Sequence, residues 1–214
     1  MDVVLDNLDV FVRGMRTTVS LTMLSFGVAL VIGIVVAAFR VSPIPPLRAV
    51  GALYVEMIQS SPLVLLFFLF YYGLTKVGIQ YGEFTTAVIV LGGYTGAYVG
   101  EMVRSGINAV STGQAEAARS LGLTFPQVMR VVVLPQALRT IVAPLGGLFI
   151  ALIKNSSIAA VIAVSDLLYE IDQLSTATAQ PIPIYLGAAA AYLLLTVPSG
   201  ILIDQIDRRV AIRR

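Results

Sequence analysis

Residues 17–39 read TTVSLTMLSFGVALVIGIVVAAF, bounded by Arg16 and Arg40 with no charge between them. A helix needs roughly 20 apolar residues to cross the hydrocarbon of a bilayer. This run is long enough, and it decides the fold class: an all-α integral membrane protein. Further runs of the same kind follow. SSPLVLLFFLFYYGLT and its flanks lie between Glu56 and Lys76, giving a span near 53–74. TTAVIVLGGYTGAYVGEMV gives one near 84–104. A fourth, near 140–164, is uncharged except for Lys154, and IPIYLGAAAAYLLLTVPSGILI gives a fifth near 182–203. Five transmembrane helices are expected.

Composition agrees. Hydrophobic residues make up 57% of the 214 and charged residues only 12%, about half the usual share. There is no Cys and no His, which excludes disulfides, His-based triads and Cys/His metal clusters. The basic balance of the chain is not a nucleic-acid signature, because its cations fall in short loops at the ends of spans. RVSPIPPLR carries Arg40 and Arg48, the segment after span three carries Arg104, Arg119, Arg130 and Arg139, and the tail DRRVAIRR carries four arginines. The segment SDLLYEIDQ carries Asp166, Glu170 and Asp172 with no base. With alternating spans, the basic segments all fall on one side. The positive-inside rule then puts the N-terminus outside and the C-terminus in the cytoplasm of a multi-pass plasma-membrane protein.

This divides the chain into residues 1–16, a transmembrane domain over 17–207 with a cytoplasmic loop at 105–139, and a basic cytoplasmic tail at 208–214. In residues 1–16, Val4, Leu8, Phe11 or Val12, and Met15 recur at helical spacing. That stretch reads either as an amphipathic helix lying on the outer membrane surface or as a plain entry segment to span one. The acids ahead of the first base argue against a secretory signal.

The loop contains EAARSLGLTFPQVMRVVVLP, residues 116–135. Ser111 with Gln114, and Thr124 with Gln127, have capping-box spacing. Gly122 falls where a first helix must stop. Pro126 suits the start of a second helix, and Pro135 is expected to end or kink it. Ala117, Ala118 and Gly122 make one side of the first helix thin, with Glu116 beside it. Such an element reads either as a docking knob or as a connector between spans.

The spacing E-A-A-x3-G-x11-L-P, formed by Glu116, Ala117, Ala118, Gly122, Leu134 and Pro135, resembles the EAA loop of permease subunits of binding-protein-dependent ABC importers. AYVGEMVRSGINAVSTGQAEAARSLG, LPQALR and FIALIKNSS are similar to the subgroup that imports polar amino acids, the histidine, glutamine and glutamate permeases. The similarity runs from about Thr17 to the C-terminus. It departs at residues 59–62, Gln-Ser-Ser-Pro where the subgroup often has Arg-Gly-Thr-Pro, so no role is carried over there. The resemblance implies the type I ABC importer transmembrane fold. It also implies a coupling role for Glu116, Ala117, Ala118 and Gly122 against a cytosolic ABC ATPase dimer. The further partners it implies are a second permease subunit, identical or homologous, and an extracytoplasmic amino-acid-binding protein. The chain has no G-x-x-x-x-G-K-[ST] phosphate loop, since neither Lys76 nor Lys154 precedes Ser or Thr. It is expected to be a transport subunit, not an enzyme, with ATP and Mg held by the partner ATPase and no cofactor of its own.

Lys154 begins a polar quartet with Asn155, Ser156 and Ser157 around the middle of span four. A central cation costs roughly 2.5–3.5 kcal/mol on insertion scales, so the cluster must face protein or water. One reading makes Lys154, Asn155, Ser156 and Ser157 line a substrate pathway, together with Tyr98 and Glu101 of span three; the other pairs Lys154 with Glu101 or Glu56. Gly92, Gly93, Gly96 and Gly100 in span three read mainly as helix-packing positions. The substrate is expected to be glutamate, glutamine or another polar amino acid. The alternative function is an ion-gradient-driven secondary carrier, which would want intramembrane acids and inverted repeats.

Overall fold

The computed structural model describes residues 2–210, and among these there is no strand. Arg213 and Arg214 of the expected tail lie outside the described residues. A short helix α1 (Asp2–Leu5) leads into α2 (Leu8–Val41), whose 34 residues span about 51 Å at 1.5 Å per residue. α2 runs through residue 16 without a break. Part of the apolar side of the N-terminal segment packs on protein: Val4, Phe11 and Met15 meet Leu167, Ile171, Ile184 and Ala188, while Leu5, Leu8 and Val12 are exposed.

The second expected span is broken. α3 (Pro45–Gln59) ends at Ser60, and a second arm runs from Leu63 to Lys76, comprising α4 (Leu63–Phe68), a π-helical turn (Leu69–Gly73) and α5 (Leu74–Lys76). The two arms meet at 104°. Pro62 explains the break, because its ring disfavours helical backbone at the preceding residue. The second arm is about 21 Å long at 1.5 Å per residue, short of the roughly 30 Å of hydrocarbon.

α6 (Glu83–Asn108) lies at the centre of the bundle. Val28, Ile32 and Val36 of α2 fit against Gly92, Gly96 and Gly100 of α6, one step of four residues at a time. Both numbers rise together, so α2 and α6 are parallel, and the segment between them must bring the chain back. Small residues at this spacing let two membrane helices approach closely. α6 is not among the three helices long and apolar enough to cross by composition alone. Burial explains this: Thr86, Leu91, Thr95, Ala97 and Val99 are enclosed by neighbouring helices.

After α6 come α7 (Thr112–Ser120) and a helix that continues without interruption from Phe125 to Ile162. It contains α8 (Phe125–Val128), a π turn (Met129–Val133), α9 (Leu134–Asn155) and a 3-10 segment (Ser156–Ile162). Pro135 therefore does not end the helix. The wider π turn just before it accommodates the ring and the missing donor. Residues between the fourth and fifth expected spans, which include SDLLYEIDQ, fold into α10 (Leu167–Thr178), and α11 (Pro181–Val210) is the last described helix. Gly146 of α9 faces Ile203 of α11, and Gly200 of α11 faces Ile150, so these two helices are antiparallel. The main core lies where α2, α4, α6 and the 3-10 segment meet, around Leu21, Phe67, Leu91, Leu152 and Ile162.

Candidate functional site

The loop between α6 and α9 forms a small knob with its own core. Ala118 is buried with Val128 and Val133, and Ile107, Val110 and Leu123 pack around them. α7 stops at Gly122, whose φ of +88° is the left-handed conformation that glycine adopts without steric cost. The Gly122 N–H donates to the Arg119 carbonyl (2.9 Å) and the Leu123 N–H to the Ala118 carbonyl (3.3 Å). This pair of bonds is a Schellman stop, which satisfies carbonyls the helix end would leave open.

The Thr124–Gln127 cap forms as its spacing predicts: Gln127 Oε1 accepts from the Thr124 N–H at 2.8 Å. The Ser111–Gln114 pair does not close in this way. Gln114 Oε1 instead accepts from Gln136 Nε2 at 2.6 Å, so this side chain ties α7 to α9. The thin face read from Ala117, Ala118 and Gly122 is divided. Glu116, Ala117 and Gly122 are exposed, while Ala118 points into the knob's core. Sequence reading missed the two most unusual residues of the knob. Leu121 is 82% exposed and Phe125 69% exposed, on either side of Gly122. The signal available was their position: large apolar residues flanking a helix stop in a water-facing loop.

A second feature lies between α6 and α9 at their ends nearest the knob. A cavity of about 410 Å3 is lined by Gln59, Tyr98, Glu101, Met102, Thr140 and Pro144, among others. Glu101 on its wall is paired with Arg40 of α2 at 3.0 Å and with Arg104 one turn along α6. The Tyr98 and Tyr94 hydroxyls are 3.1 Å apart. Glu101 is thus held by arginines, and Lys154 is not its partner.

The quartet sits where α9 tightens into the 3-10 segment, late in the long helix and away from its middle, and none of its members lines the cavity. Lys154 is exposed on the surface of the single chain and makes no ion pair among the described residues. The Ser157 hydroxyl donates to the Lys154 carbonyl at 2.7 Å, and Asn155 is half-buried. Ser156 is fully enclosed, its hydroxyl donating to the Ile153 carbonyl at 2.8 Å; it is a packing residue. The structure therefore brings Tyr98 and Glu101 together and keeps Lys154, Asn155 and Ser157 apart from them.

The family described as binding-protein-dependent transport system inner membrane component matches residues 29–212. The chain belongs to that family. This permease is 37% identical over 210 residues to the probable glutamine ABC transporter permease protein GlnM of Bacillus subtilis (strain 168), covering 98% of this chain and 97% of that one. It is 35% identical over 214 residues to the glutamate transport system permease protein GluC of Corynebacterium glutamicum, covering 92% of each. Among solved structures, the permease superposes on a chain from "Crystal structure of an amino acid ABC transporter with histidines" with a TM-score of 0.91, 36% identity and 96% coverage of each chain. A chain of the inward-facing MetNI methionine ABC transporter shares the fold, with a TM-score of 0.77 at 21% identity. The permease is an integral membrane protein with the type I ABC importer fold.

Proposed function

We propose that this permease forms the translocation pathway of an ATP-driven uptake system for a polar amino acid of the glutamate and glutamine class. The relatives named for glutamine and glutamate support that class. In this reading five helical crossings place the N-terminus outside and the C-terminus in the cytoplasm, with the bent α3–α5 segment and α6 as the second and third crossings. The parallel packing of α2 and α6 supports that count.

The observation that carries the coupling role is the knob: two large apolar side chains, Leu121 and Phe125, held in water around a left-handed glycine. Glu116, Ala117, Leu121, Gly122 and Phe125 would seat in a cytosolic ATPase dimer, which binds the ATP and Mg, while Ala118 holds the knob rigid from within. Exposed apolar anchors with little freedom are what a docking hot spot requires. A second permease subunit, identical or homologous, would cover the face bearing Lys154 and enclose the pathway. An extracytoplasmic amino-acid-binding protein would deliver substrate from the outer side, and membrane lipid would surround the remainder. Tyr98, Glu101, Lys154, Asn155 and Ser157 remain the pathway candidates. Lys154, a cation with no ion pair among the described residues, suits an α-carboxylate or an acidic side chain.

The test is coupling in reconstituted vesicles. Gly122→Pro and Glu116→Lys should leave membrane insertion intact and abolish uptake while ATP hydrolysis continues without substrate control. Normal uptake by both variants would overturn the coupling role.

A further inference from the structure

A buried polar group lies apart from both the knob and the cavity. Asp166, between the 3-10 segment and α10, is 0% exposed. Its Oδ1 accepts the Tyr169 N–H at 3.0 Å, capping α10, but its Oδ2 has no partner. The Tyr192 hydroxyl from α11 has none in place either, and it lies beside the Thr18 hydroxyl of α2 and the Ser157 hydroxyl. Thr22, one turn along α2 from Thr18, is likewise buried with an unpartnered hydroxyl. Other hydroxyls satisfy themselves locally, as where Thr196 donates to the Tyr192 carbonyl and Ser199 to the Leu195 carbonyl, although Ser25 of α2 is also buried without a partner. The Thr18 oxygen accepts the Leu167 N–H at 3.1 Å.

The site is closed by backbone. A β-carbon at Gly14 would come 2.7 Å from Leu167 Cα, so α2 lies directly against the start of α10. Among the described residues no cation pairs with the carboxylate. On α2, Arg13 pairs with Asp9 at 2.7 Å and reaches Glu170 at 4.0 Å; Arg16 is exposed. On α10 itself Glu170 adds negative charge, and Asp172 is exposed and bonded to Tyr185 of α11. The 3-10 segment presents only Ser157, and Lys154 points to the surface. An isolated charge in such surroundings is costly enough that the group neutralises itself instead. Unpartnered hydroxyls in a polar buried space are where internal water sits.

We propose that Asp166 heads an internal proton-binding site, in which Oδ2 carries a proton that it donates in a single hydrogen bond, directly or through bound water, toward the Tyr192 hydroxyl. This site joins α2, α10 and α11 and is independent of the transport reading above. The burial that drives it also raises the Asp166 carboxyl from 3.8 to about 7.

The test is infrared difference spectroscopy of the full chain in lipid nanodiscs, titrated from about pH 5 to about pH 9 around that carboxyl. The expected result is a protonated-carboxyl band lost in Asp166→Asn, with a midpoint near 7 in the wild type. Tyr192→Phe, which removes one bonding partner, should keep the band and move its midpoint. Two results would overturn the proposal. One is the absence of any Asp166-dependent band across the range, which would leave an ionised helix cap. The other is a melting temperature that rises with sodium chloride over choline chloride in the wild type and not in Asp166→Asn, which would make the site one for a monovalent cation.

Discussion

Gly92 of α6 lies against Val28 of α2 so closely that a β-carbon there would stand 2.6 Å from Val28 Cγ1 and 2.8 Å from its Cβ. Val28 is branched at that carbon and cannot swing clear. Gly92→Ala should therefore cost about 1–3 kcal/mol, the range for an overfilled core, read as a lowered midpoint of thermal unfolding in detergent. Adding Val28→Ala should recover part of the loss. Full recovery is not expected, because the Ser25 carbonyl also lies 3.3 Å from the new carbon. A single variant as stable as the wild type would refute the ladder of α2 on α6.

The exposed pair on the knob predicts a binding defect without a folding defect. Leu121→Ser and Phe125→Ser remove no buried contact of this chain, so unfolding should shift by less than about 0.5 kcal/mol. Retention of the ATPase after detergent extraction should drop roughly tenfold or more, the weight of about 1.4 kcal/mol or more per anchor. Equal retention would show that these residues face solvent only.

Glu101 holds two arginines, Arg40 and Arg104. Glu101→Ala leaves both cations without their partner and should destabilise by about 1–2 kcal/mol, a figure reduced for their partial exposure. The reversal Arg40→Glu with Glu101→Arg should recover more than either change alone. Non-additivity in that double-mutant cycle is the measurement.

The buried carboxyl gives stability a defined pH dependence. Asp166 titrates at 3.8 in an open chain and at about 7 when enclosed, because burial disfavours its charge more than the α10 N–H groups favour it. Between those values the native state holds a proton that the unfolded state has released. Stability is therefore fully present below about pH 4, falls as pH rises toward 7, and levels above it. Asp166→Asn keeps the cap and should flatten that slope, measured as unfolding midpoints across the range.

Lys154 makes no ion pair in the single chain, so Lys154→Ala should leave its stability close to unchanged and even ease insertion. If the residue faces the pathway, uptake of labelled glutamate should fall while binding of the ATPase is kept. Unchanged uptake would assign Lys154 to a surface role.

The linear order of residues was enough to mark which segments are greasy, where the knob interrupts them and where its first helix stops. Those are local properties: charge-free length, capping residues and a glycine with a left-handed backbone act within a few residues of themselves. Whether Pro135 ends or kinks its helix could not be read locally, because a helix has more than one response to proline, and the choice of a π turn depends on the chain continuing into the bundle. Helix packing settles that Ala118 faces inward while Leu121 and Phe125 are exposed, that Glu101 belongs to Arg40, and that Ser156 is enclosed. It also moved Asp166 from an apparent outer loop to a sealed site. Each depends on which helix lies across from the residue, and that is set by the register of distant packing, glycine against branched side chain, which no nearby stretch of the chain encodes.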